Sequence, residues 1–83
     1  MRFVTIDDSS HILNVAYDVE KQVMYVQFAS GSIYRYDNVH ADVFGQVVSA
    51  DSVGIAFNEL VKFNSRIPFT LVKEMPVVNN AVI

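Results

Sequence analysis

An α+β domain is what this sequence predicts: a three-stranded antiparallel β-meander packed against two consecutive helices, with room for extra short terminal strands. Three observations carry that prediction. Three β-rich runs follow one another between residues 12 and 36, separated by turn signals. Beyond residue 38 the hydrophobic period lengthens from two residues to one helical turn and stays there to about residue 61. The chain has 83 residues, 52% hydrophobic and 18% charged, enough apolar side chains for one core and too few to divide between two.

The elements follow in order. Phe3-Val4-Thr5-Ile6 reads as a short strand cut off by the Asp7-Asp8-Ser9-Ser10 loop. Ile12-Leu13-Asn14-Val15-Ala16-Tyr17 is the first strand of the meander; it ends at Asp18 and a polar connection, Val19-Glu20-Lys21-Gln22. In the next run, period two places Met24, Val26 and Phe28 on the core face and Val23, Tyr25 and Gln27 on the other. Ser30-Gly31-Ser32 supplies a tight turn in which glycine can take positive φ, and Ile33-Tyr34-Arg35-Tyr36 is the third strand.

Val43, Phe44, Val47 and Val48 make an apolar stripe on a helix over residues 40–49. Asp51 or Ser52 can cap a second helix whose Val53, Ala56, Phe57, Leu60 and Val61 share a face, with Asn58, Glu59 and Lys62 toward its edge. Pro68 and Pro76 bracket Phe69-Thr70-Leu71-Val72-Lys73, which is either a short edge strand or an extended arm. The expected domain is residues 1–76 around a core of residues 9–66, and residues 77–83 read as a loosely tied tail.

Composition excludes several classes of function. There is no cysteine, hence no disulfide framework and no thiolate metal site. Two acids interrupt the N-terminus before a signal-like apolar run can form, and no stretch approaches the roughly 20 apolar residues of a membrane span, so the expectation is a cytoplasmic protein. The net charge of −3 argues against coating nucleic acid through an overall positive field. The cations are unevenly placed, however: Lys62, Arg66 and Lys73 face only Glu74 in the last third of the chain.

Several segments occur together in a recognisable order: Ser9-Ser10, Tyr17-Asp18, Gly31-Ser32-Ile33-Tyr34-Arg35-Tyr36, Ser49-Ala50-Asp51-Ser52-Val53-Gly54 and Phe57-Asn58. Over roughly residues 9–66 the chain resembles the KTSC domain, named for its occurrence at the C-terminus of some lysyl-tRNA synthetases and found also as stand-alone bacterial and phage proteins. The resemblance implies the fold and, through the synthetase connection, an RNA-binding role. Two positions depart from the family's pattern: Val39-His40 stands where Val-Pro is usual, and Val61-Lys62 where Ile-Arg is typical. The second keeps a cation but loses the planar fork that grips phosphate bidentately.

Candidate binding residues are Tyr34, Arg35, Tyr36, Asn58, Lys62, Ser9 and Ser10. Tyr34 and Tyr36 project from one face of their strand and Arg35 from the other. The two rings either stack nucleobases or fill the core under the helices, and a small domain without tryptophan favours the second use. Asn58 and Lys62, one turn apart, either hold a polar ligand or serve a neighbouring loop and solvent. Ser9 and Ser10 either contact an anion or staple their own loop.

Catalysis has little to draw on. His11 and His40 are the only histidines and lack sequence-local partners, and no metal-ligand spacing is present. The expectation is a non-catalytic module without cofactor or metal, binding RNA or a nucleotide. The rival is a protein-interaction module, either self-associating by sheet-edge pairing or acting as a small phage-encoded inhibitor of a host factor in the host cytoplasm.

Overall fold

A computed structural model describes residues 1–7 and 9–76; the expected tail at residues 77–83 lies outside the described residues. The sheet has five antiparallel strands in sequence order, β1 (Arg2–Thr5), β2 (Ile12–Asp18), β3 (Val23–Phe28), β4 (Ile33–Tyr36) and β5 (Phe69–Val72). The expected three-stranded meander is therefore the centre of a larger sheet. Both terminal segments pair: Phe3 lies opposite Ala16 on one side, and Phe69 opposite Tyr36 on the other. A bulge between Ile12 and Asn14 shifts the β2–β3 register.

Local chemistry sets the turns. Asp18 Oδ1 accepts hydrogen bonds from the backbone N–H groups of Glu20 (3.1 Å) and Lys21 (3.2 Å), closing the β2–β3 connection. Gly31 takes φ +99° between β3 and β4, a conformation that a side chain would oppose.

Two helices cross one face of the sheet. Helix α1 (Ala41–Ser49) buries Phe44 and Val47. Helix α2 (Val53–Phe57) is capped by Ser52, whose Oγ accepts from the Ile55 N–H at 3.3 Å, and it runs directly into one π-helical turn, Asn58–Lys62. In that turn the Phe63 N–H donates to the Asn58 carbonyl. Val53, Phe57 and Val61 are buried, while Ala56 and Leu60 are only half-buried, so the buried stripe is narrower than the sequence pattern indicates.

The core lies between the helices and the sheet face that carries Val15, Tyr17, Met24, Val26 and Tyr36. Tyr17 stacks on Phe44 with ring centroids 4.6 Å apart and donates its hydroxyl to the Val39 carbonyl. Phe57 sits at the other end, edge-on to Tyr36 (5.2 Å) and Phe28 (5.8 Å).

His40 caps α1 with φ −69° and ψ 152° and makes no side-chain capping bond. That φ is the one a proline ring imposes. His40→Pro is accordingly expected to raise stability by about 0.4–1 kcal/mol, chiefly by restricting the unfolded chain, which urea denaturation would read as a higher midpoint at unchanged slope.

Candidate binding groove

Three segments that are distant in sequence meet at one end of the helical layer. They are the loop at residues 9–12, the β3–β4 hairpin with its turn, and α2 with its π turn. Between them run two adjoining hollows. One, of about 560 Å³, is polar along much of its wall, with Ser9, Ser10, His11, Ser52, Asn58 and Lys62 around an apolar floor of Ile12, Phe28 and Phe57. The other, of about 370 Å³, is aromatic: Tyr34, Tyr36, Phe63 and Phe69 surround it, with Ser30 and Ser32 at its rim. Lys62 and Phe28 line both.

The π turn sets the junction. It ends at Lys62, whose Nζ rests 5.8 Å from the centroid of the adjacent Phe63 ring, so an exposed cation and an exposed ring stand side by side. Phe63 and Phe69 are 73% and 63% exposed, an unusual outlay of aromatic surface for so small a domain. Tyr34 lies behind them, half-buried, 5.9 Å from Phe69 and 6.0 Å from Phe28.

The predicted site residues divide. Ser9, Ser10, Asn58 and Lys62 converge on the polar hollow, and Tyr34, Tyr36 and Lys62 on the aromatic one. Ser9 Oγ already accepts from the N–H groups of His11 (3.2 Å) and Ile12 (3.1 Å), so it staples its own loop while its hydroxyl stays at the groove wall. Tyr36 is a core residue, 4% exposed, reaching the groove only at its margin. Arg35 is placed apart from the rest: it pairs with Tyr25 on the sheet face away from the helices and donates from Nε to Asp37 Oδ1 at 3.0 Å. That contact holds the guanidinium charged and tied to a carboxylate.

Phe28, Phe63, Phe69, Ser30, Ser32, Ser52, Gly54 and His11 also line the groove, although the sequence does not mark them as binding residues. A signal existed for Phe63, which falls off the apolar stripe of α2 and so has no core position to fill. Gly54 faces the serine loop; a β-carbon there would stand 3.6 Å from Ser9 Oγ, an ordinary van der Waals contact.

Burial raises the Tyr36 phenol to about 12, with the neighbouring Tyr34 adding to the effect. The unfolded phenol ionises near 10.0 and the folded one later, so the contribution is intact below about pH 10 and is lost as pH rises toward 12. Tyr17 is displaced in the same direction, by burial first and then by Asp42 and Asp18. Melting temperature is expected to fall steeply above pH 10, and Tyr36→Phe to soften that fall; equal alkaline slopes for the two proteins would contradict the assignment.

Comparison with known proteins places this geometry in a family. The KTSC domain model matches residues 8–64, a span that contains the serine loop, the hairpin and the π turn. The chain belongs to the KTSC domain family. An uncharacterized protein of Stutzerimonas stutzeri is 41% identical over 54 residues, which cover 65% of this chain and 76% of that protein. A protein of Tsukamurella paurometabola is 34% identical over 55 residues, covering 66% and 82%. The crystal structure of a KTSC domain protein from Yersinia pestis superposes with a TM-score of 0.75 at 22% identity, over 86% of this chain and 96% of that one; the likeness is one of fold. The Phe69 wall lies beyond the matched residues, whereas Tyr34, Asn58 and Lys62 lie within them. Among the described residues, no helix of this KTSC domain is long and apolar enough to cross a membrane.

Proposed function

We propose that this KTSC domain binds a nucleotide unit, free or within single-stranded RNA, and performs no chemistry on it. The observation that carries the reading is the position of Lys62 between an aromatic hollow and a hydroxyl-lined one. A nucleotide has the same two parts in covalent register. Its base stacks on aromatic faces, worth roughly 1–3 kcal/mol whatever the base, and its phosphate takes a cation and hydroxyl or amide donors. Phe63, Phe69 and Tyr34 suit the base, while Lys62, Ser10, Ser52 and Asn58 suit the phosphate. The role belongs to the cytoplasm, or to a host's cytoplasm for a phage-borne copy.

The net charge of −3 limits this to local recognition. With Lys62 the cation that both hollows share, affinity should depend on salt only gently, with a log–log slope of about −0.7 for each phosphate neutralised. Titration of a fluorescent oligouridylate at several ionic strengths tests the reading. Saturable binding with a small negative slope supports it, whereas absence of binding at low salt contradicts it and leaves a protein partner as the better explanation.

A further inference from the structure

We propose that the domain forms a homodimer by antiparallel pairing of β5 with β5 of a second copy. The backbone determines what this edge offers. In an antiparallel ladder hydrogen-bonded and non-bonded residue pairs alternate. The Asp37 N–H donates to the Pro68 carbonyl at 3.0 Å, so the bonded positions of β5 toward β4 continue at Thr70 (opposite Arg35) and Val72 (opposite Ile33). Phe69 and Leu71 consequently direct their N–H and C=O groups outward, and the missing N–H of Pro68 falls on the inward side.

The side chains repeat the pattern. Phe69 and Leu71 are each 63% exposed on the helix-side face, and no charged residue interrupts Phe69–Val72. Edge strands of monomers normally carry such a charge, as β1 does in Arg2. A two-fold axis perpendicular to the sheet and passing by Thr70 sets Phe69 opposite the partner's Leu71, and Leu71 opposite the partner's Phe69. Every outward donor and acceptor of these residues is then matched, and the four apolar side chains meet on one face. A one-residue slip would oppose unlike faces; a two-residue slip one way would put Phe69 against the partner's Lys73, and the other way would put Leu71 against the partner's Ile67, whose N–H already donates to the Asn64 carbonyl. The edge is thus self-complementary in one register. The two aromatic hollows come to lie on the same side of a continuous sheet.

That register sets Thr70 directly opposite the partner's Thr70 as a non-bonded pair, with Cα atoms about 4.5 Å apart, within the range a disulfide spans. The native chain has no cysteine, so a single one reports without background. Sedimentation equilibrium of the wild-type chain is expected to show a dimer, and Leu71→Lys a monomer with unchanged far-UV circular dichroism. On mild oxidation Thr70→Cys is expected to convert to a disulfide-linked dimer while Val72→Cys, which faces the partner's Pro68, dimerises without becoming cross-linked. The cysteine pair decides the matter even where Leu71→Lys fails to fold. A wild-type chain that sediments as a monomer over the whole concentration range, or a dimer in which Thr70→Cys links no faster than Val72→Cys, overturns the proposal. Leu71 is outside both hollows, so loss of dimer in Leu71→Lys and loss of oligonucleotide binding in groove variants are separable results.

Discussion

Phe57→Ala is expected to destabilise the domain by about 3–5 kcal/mol, the usual cost of removing a fully buried ring from a close-packed core. Phe57 is 1% exposed and meets Phe28 and Tyr36 edge-on, so deleting it strips one face from each and leaves a void between the β3–β4 hairpin and α2. A domain of this size has little stability in reserve, and the loss corresponds to roughly 15–30 °C in melting temperature. Thermal unfolding followed by circular dichroism would read it. Phe63→Ala is the matched control, because that ring is 73% exposed and its removal should change stability by no more than about 0.5 kcal/mol. Similar effects from the two substitutions would mean that the packing described at this end of the core is wrong.

The groove variants carry the second large effect, this time on binding. Phe63→Ala should weaken oligoribonucleotide affinity by about 1–3 kcal/mol, roughly 5- to 150-fold, if its exposed face stacks a base. Lys62→Glu should abolish measurable binding, since it removes the cation shared by both hollows and puts a carboxylate in the path of the phosphate. Lys62→Ala should weaken binding and flatten the salt dependence by about 0.7 in slope. Arg35→Ala is expected to leave affinity unchanged, because Arg35 lies on the far side of the sheet and is held by Asp37. Fluorescence anisotropy with one labelled strand would measure all four. Loss of binding in Arg35→Ala with retention in Lys62→Glu would move the site to the opposite face of the sheet.

Much of the fold is legible along the chain because its signals are local. Period two in Met24, Val26 and Phe28, the Gly31 turn, and the one-turn spacing of Phe44 and Val47 are each complete within a few residues. The outer strands are harder to read, since four residues at a sheet edge need a partner to be strands at all. Phe69–Val72 is extended because β4 is there to receive it. The π turn has no sequence signature, and it determines how Lys62 and Phe63 emerge from the end of α2.

The candidate site was legible in pieces. Asn58, Lys62 and the serines could be named one by one, but their convergence depends on the 9–12 loop folding back beside α2. Grouping Arg35 with Tyr34 and Tyr36 followed sequence adjacency, although strand alternation by itself separates them. Tyr36 turned inward and Tyr34 only halfway, because β5 covers the edge of β4 with Phe69 instead of leaving the pair open to solvent.

The most direct test is a heteronuclear NMR titration of the isotopically labelled domain with a short oligouridylate at low salt, read residue by residue. Shift changes concentrated at residues 9–12, 30–34, 52–63 and at Phe69 are predicted, with the face that carries Tyr25 and Arg35 unaffected. A spectrum that does not move at all, or that moves only at Tyr25, Arg35 and their neighbours, would contradict the assignment of this groove as the nucleotide site.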